Sequence, residues 1–321
     1  MGESMPFFDT DPETERIGQQ LVQRTLQAFA SRGLDAERFS VTLLRHDRPP
    51  AAGGPAPVRP RGFGYRSSQP YYPCSVVKLF YLVAAQARLA EGFIRPHEEL
   101  DRAMRDMILY SSNTATNYVI DLVTGTTGDT LLPEAEMSEW VHKRGWVNRY
   151  FRSLGWPEFE AINVCQKLMD DQRYGRERLF AGADGHNHNR LTTDAVARLF
   201  YAVFTGTILD PARSRFVVER LARPLDPAWV AAEPEGQVLG YFGEGLPPGS
   251  RLWSKAGWTK WTGDPTASYR RHDAAYVELP GGGAFTLVVF TEGKEISADM
   301  TCLPAFARLA AELIGNATMP P

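Results

Sequence analysis

The sequence predicts an α/β protein of the α+β sandwich type, with an antiparallel sheet built from both chain ends, flanking terminal helices and an all-helical lobe. Three observations predict it. Alternating apolar stretches that read as strands occur near the start of the chain and again in its last third. The segment between them, from about 73 to 205, is mostly helical in pattern. Amphipathic stretches at helical spacing open and close the chain. The predicted division is 1–72 with 206–321 as the α/β part, and 73–205 as the helical part.

In chain order, a first helix is expected over about 12–32. Asp11 can cap it, Pro12 suits the first helical position, and Ile17, Leu21, Leu26 and Phe29 fall roughly on one face. "FSVTLLRHD" (39–47) alternates as a strand, and "RGFGYRS" (61–67) is its expected hairpin partner across the Pro/Gly-rich loop "RPPAAGGPAPVRP". In the last third, "RLWSKAGWT" (251–259), "AAYVELP" (274–280) and "AFTLVVFTEG" (284–293) read as strands, the last two joined by "PGGG" as a tight turn. "LPAFARLAAELIG" (303–315) is the closing helix. No internal repeat is visible.

Composition excludes several classes. With 321 residues and 43% hydrophobic content the chain can bury a sizeable core. A net charge of −3 implies no basic face, so no nucleic-acid partner is expected; the expected partner is a small molecule. Three scattered cysteines, Cys74, Cys165 and Cys302, make neither a disulfide framework nor a cysteine zinc site, and are expected as free thiols, Cys74 being a candidate reactive one. No run of about 18 apolar residues and no signal-like start occur. The expected location is cytoplasmic for the sequence as it stands, and periplasmic or secreted if an export signal was removed.

"PYYPCSVVKLFYLVAAQARLAEGF" (70–93) raises the functional question, because its apolar first half carries Ser75 and, three residues later, Lys78. Lysine is scarce: six of the 35 basic residues (Lys78, Lys143, Lys167, Lys255, Lys260, Lys294), the other 29 being arginine. Positions i and i+3 share a helix face, which sets a hydroxyl beside an amine. Burial favours the uncharged amine, which can take the serine's proton. Taken alone, the pair also fits a lysine that reaches the surface or a carboxylate. Two further patterns stand beside it. "DMILYSSNTATNYVIDLV" (106–123) carries Ser111, Ser112 and Asn113 between apolar stretches, where helix capping is the competing reading, and "LWSKAGWT" sets Lys255, Ala256 and Gly257 on a strand.

In order, these are S-x-x-K, S-x-N and K-x-G, and from about Ser40 onward the sequence resembles the class A β-lactamases and penicillin-binding proteins, a family of serine hydrolases. "MILYSSNTATN" is similar to the family's loop with Ser112 in place of an aspartate, and "NRLTTDAVARLFYAVFTG" (189–206) to the helix start after its Ω-loop. The resemblance implies the β-lactamase/transpeptidase-like fold, with the nucleophile helix and an Ω-like loop in the helical part. It implies Ser75 as nucleophile forming an acyl-enzyme, Lys78 as base or proton relay, and Ser111 as proton donor to the departing nitrogen. It further implies Asn113 as holder of Lys78 and the substrate amide, Lys255 as positive potential for a substrate carboxylate, and the N–H groups of Ser75 and Trp258 as an oxyanion hole beside Gly257. No cofactor and no metal are implied.

Three departures stand out. The third motif has Ala256 where the family adds a hydroxyl, for which Thr259 is the candidate substitute. Ser75 and Ser111 are only 36 residues apart, which implies a trimmed wall and an open cleft. The stretch 156–193 lacks a clear copy of the family's Ω-loop glutamate and asparagine. Glu160 with Asn163 is nearest by spacing and Glu177 nearest by distance to Thr192; Glu160 is the preferred base, against the alternative of a solvated loop glutamate. Without a base, acylation would outrun deacylation.

Arg270, or its neighbour Arg271, is a candidate contact for a substrate carboxylate. "HNHN" (186–189) reads as a polar loop in preference to a metal site, and "TGTTGDT" (124–130) as a turn. The leading expectation is β-lactam hydrolysis through an acyl-serine, on an amide or ester that bears a carboxylate. The alternatives are a DD-peptidase or esterase-like acyl hydrolase and a non-turnover ligand-binding homologue.

Overall fold

The computed structural model describes residues 7–50, 59–128, 130–169 and 172–318. Its first helix, α1 (Pro12–Phe29), is capped by Asp11 as its sequence predicts, the carboxylate accepting from the N–H groups of Glu13 and Thr14, and it tightens into a 3₁₀ turn at Ala30–Arg32. Strands β1 (Phe39–His46) and β2 (Arg61–Tyr65) form the expected hairpin. Then come α2 (Lys78–Ala90), α3 (Glu98–Leu109), α4 (Asn113–Thr124), α5 (Glu134–Arg144), α6 (Trp146–Ser153), α7 (Gly175–Ala181), α8 (Thr193–Thr205) and α9 (Pro211–Leu221). The two-residue β3 (Ala222–Arg223), α10 (Pro227–Ala232), α11 (Phe242–Gly245), β4 (Arg251–Thr259), β5 (Arg270–Glu278), β6 (Ala284–Glu292), α12 (Lys294–Ala298) and α13 (Cys302–Thr318) complete the chain.

The six strands form one antiparallel sheet in the order β2-β1-β6-β5-β4-β3. It joins both ends of the chain, since β1 pairs with β6 in the register Ser40 to Phe290. One face buries Ile17, Leu21, Phe39, Val289, Phe306 and Ala310, packing α1 and α13 together. The other face buries Leu44, Tyr276, Val288 and Phe290 in one cluster with α2, α4 and α8. At its centre runs α2, buried along one turn after another from Lys78 to Ala87. A helix apolar on all sides belongs in a core, and its lysine therefore has to find partners there.

One strand differs from expectation. β5 starts at Arg270, not Ala274, because the polar run Arg270–Asp273 is paired inside the protein. His272 and Asp273 have no exposed surface: the His272 ring bonds the Tyr72 carbonyl at 2.9 Å and accepts from the Thr291 N–H at 3.1 Å, while Asp273 accepts from Phe242 and Ala274 N–H groups. Polarity here marks internal hydrogen bonding, which a hydropathy pattern reads as a loop.

Candidate active site

Three segments converge at the start of α2. The first is the 3₁₀ turn Cys74–Val77, which follows Pro73 and leads into α2, with Cys74 in the left-handed region (φ 49°) and Ser75 half-buried. The second is the α3–α4 connection, where Ser111 also has positive φ (56°). The N-cap of α4 is Ser112, whose Oγ accepts from the Ala115 N–H; capping therefore falls to Ser112 and leaves Ser111 to the site. The third is β4. It pairs with β3 only at Leu252 and Trp253, so along Lys255–Thr259 it is the sheet's edge. Gly257 passes the Ser75 turn so closely that an added β-carbon would lie 2.7 Å from Ser75 N.

Lys78 has no exposed surface and donates to the Ser111 carbonyl, to Ser111 Oγ at 3.3 Å and to Asn113 Oδ1 at 2.7 Å. Lys255, equally buried, donates to the same Ser111 Oγ at 3.0 Å, to Gln237 Oε1 at 2.6 Å and to the Ala256 carbonyl at 2.7 Å. Ser111 Oγ thus accepts from two lysines, which leaves its own proton free to point elsewhere. Burial, then the nearby charges of Lys78 and Arg223, pull Lys255 well below the usual lysine range. Asp273, on β5 opposite Ala256 of β4, is pushed up to about 6 by burial, against the pull of its backbone hydrogen bonds and of Lys255 and Arg223.

Arg223 fixes the Ser111 loop from the sheet side, donating to the carbonyls of Ile108 and Leu109 at 2.6 and 2.9 Å. Neither Arg223 nor Gln237 carried a sequence signal, since each stands in a polar stretch with no motif around it. Asn117 shared that obscurity. One turn beyond Asn113 on α4, its side chain clasps the main chain of Leu168, donating to the carbonyl at 2.9 Å and accepting from the N–H at 3.0 Å. Tyr81, one turn along α2 from Lys78, bonds the Gln166 carbonyl at 2.8 Å. The segment 166–168 therefore lies across the first turns of both helices, and its three side chains, Gln166, Lys167 and Leu168, are all buried.

The remaining predicted residues fall as follows. Glu160 is exposed at the end of the turn Pro157–Phe159, and no hydrogen bond or ion pair among the described residues joins it to Ser75, Lys78 or Ser111. Asn163, its partner by spacing, is buried and holds the loop to Asn187 and His188. Glu177 is buried in an ion pair with Arg144 at 2.7 and 2.9 Å, beside Lys167. Thr259 donates its hydroxyl proton to the Ala267 carbonyl at 2.7 Å and faces Cys74 Sγ at 3.6 Å. Trp258 is 44% exposed, with its indole N–H on the Ser297 carbonyl. Arg270 is buried against Glu292 and the Thr266 carbonyl, and Arg271 against the Ser297 carbonyl, so the structure brings neither guanidinium to Lys255. Burial pushes the Cys74 thiol up to about 12, which makes it a packing group, contrary to the reactive thiol considered from sequence. In "HNHN", His186 pairs with Asp184 in solvent and His188 with Asp264 in the interior.

A family model described as the beta-lactamase enzyme family matches residues 99–317. Among solved structures, a β-lactamase from Sphaerobacter thermophilus DSM 20745 is similar with a TM-score of 0.62 at 18% identity, over 94% of this chain and 99% of that one. A class A β-lactamase from Bacteroides cellulosilyticus DSM 14838 gives 0.63 at 14%, over 94% and 99%. PBP-A, in a mutant with a leucine changed to glutamate and solved as an acyl-enzyme complex with penicillin G, gives 0.58 at 16%, over 92% and 96%. At these identities the likeness is one of fold. No curated protein sequence matches the chain.

Proposed function

The chain belongs to the beta-lactamase enzyme family, and on that premise we propose that it is a serine acyl-transfer enzyme that is acylated by β-lactams and releases the acyl group slowly. Ser75 Oγ forms a bond to the lactam carbonyl carbon, the C–N bond breaks, and the serine's proton travels through Lys78 and Ser111 to the departing nitrogen. Lys78 and Lys255 both contact Ser111 Oγ, and burial with the neighbouring charge of Lys78 pulls Lys255 below the usual lysine range. The N–H groups of Ser75 and Trp258 are the proposed oxyanion donors. The observation that carries the reading is the convergence of Lys78 and Lys255 on Ser111 Oγ beside the Ser75 turn.

Slow release is inferred from the described residues of the Ω-like loop. Hydrolysis of the ester needs a group that activates water. Of the two glutamates weighed from sequence, Glu177 is committed to Arg144 and Glu160 is in solvent, while the loop residue clasped next to α4 is Leu168. The acyl-enzyme of the similar PBP-A mutant with penicillin G supports the first half of the reaction.

The test is intact-mass spectrometry with a penicillin over time. A covalent adduct on the wild type that persists for many minutes and is missing in Ser75→Ala is the expected result. A wild type that forms no adduct sinks the proposal, and rapid turnover to free product replaces it with efficient β-lactam hydrolysis.

A further inference from the structure

Lys255 places its three N–H donors on three protein acceptors, Ser111 Oγ, Gln237 Oε1 and the Ala256 carbonyl. An anionic group of a substrate approaching this lysine meets its charge but no remaining donor. On β4, position 256 is alanine and Thr259 donates to Ala267, while the proton of Ser111 is the one assigned to the departing nitrogen. Arg270 and Arg271 are committed to Glu292 and Ser297.

Gln237 fills this gap. Only an oxygen can accept from an ammonium group, so the side-chain carbonyl faces Lys255 and the –NH₂ points away from it; no hydrogen bond from that –NH₂ occurs among the described residues. Its residue is half-buried and held at φ 58° after the 3₁₀ turn Pro234–Gly236, a left-handed conformation that costs a side-chain-bearing residue free energy. The contact with Lys255 also polarises the amide and strengthens it as a donor.

We infer that Gln237 is a specificity-determining residue that donates to a substrate carboxylate, relaying the charge of Lys255 to it. This rests on the acyl-serine reading of the site and extends it to the group that recognises the anion.

The experiment compares second-order acylation rates for benzylpenicillin and its methyl ester, in wild type, Gln237→Ala and Gln237→Glu. Glutamate keeps the oxygen that accepts from Lys255 and removes the donor, so it separates recognition of the anion from support of the lysine. The expected result is a preference for the carboxylate over the ester that falls about tenfold to a hundredfold in both variants, as for loss of a charge-assisted hydrogen bond. If Gln237→Glu retains the wild-type preference, or if both probes lose rate equally, Gln237 acts only through Lys255 and the inference is overturned. A wild type acylated by neither probe overturns the acyl-serine reading, and this inference with it; acylation of the wild type by both separates the two.

Discussion

The α-carbon of Gly257 lies against the main chain of Ser75, so that a β-carbon there would stand 2.7 Å from Ser75 N, 2.8 Å from Cys74 Cβ and 3.0 Å from the Pro73 carbonyl. Two of these neighbours are backbone atoms on a turn that already holds Cys74 at φ 49°, and they cannot swing aside as a flexible side chain would. Gly257→Ala is expected to push β4 away from the Ser75 turn, costing about 1–3 kcal/mol of stability. Acylation should fall at least a hundredfold in the protein that still folds. A stopped-flow acylation assay beside a urea titration checks both, and a near-wild-type rate would show that the close approach is dispensable.

Leu168 can be made to carry a carboxylate on the Ω-like loop. Asn117 holds its main chain and not its side chain, so Leu168→Glu leaves the clasp in place and puts a carboxylate where the loop crosses α2 and α4. The expected outcome is a penicillin adduct that decays about a hundredfold faster than in wild type, the lower end of what a positioned general base contributes. Mass spectrometry of the adduct over time reads it directly. An unchanged lifetime would mean that position 168 does not face the ester.

His272 couples acidity to the nucleophile turn. Burial lowers its imidazole to about 3, and both ring nitrogens are engaged, one donating to the Tyr72 carbonyl and the other accepting from Thr291 N–H. The folded pKa lies below the unfolded value of 6.5, so the associated stability is complete above about 6.5 and is lost as pH falls toward about 3. From pH 7 to pH 5 this amounts to about 2 kcal/mol. Urea unfolding at the two pH values should show that difference in wild type and a smaller one in His272→Gln. Parallel losses in both proteins would assign the acid sensitivity to other groups.

How far these features were legible before the structure depends on whether they lie in local pattern. β1, β4 and β6 are rich in apolar and β-branched residues and are read to within one or two residues, and Ser75, Lys78, Ser111 and Lys255 stand out as polar residues in apolar or strongly patterned stretches. β5 was read four residues short because "RRHD" hides its burial. Gln237, Arg223 and Asn117 were illegible for another reason: each acts through one contact with a residue far along the chain, and nothing in a polar loop or helix surface announces such a partner. Glu160 and Glu177 illustrate the converse, since a glutamate near the expected spacing is as easily exposed or held in an ion pair.

The pairing of Ser40 with Phe290 has a consequence for how the protein is made. When the ribosome has delivered the hairpin β1–β2 and the helices after it, the open edge of β1 has no partner until β6 emerges far along the chain. Long-range pairing of this kind closes slowly, and an apolar strand with an unpaired edge invites association with other chains in the interval. The same closure that lets β4 meet the Ser75 turn therefore makes the nascent chain dependent on protection, by chaperones or by its own helical lobe, while the residues between β1 and β6 are synthesised.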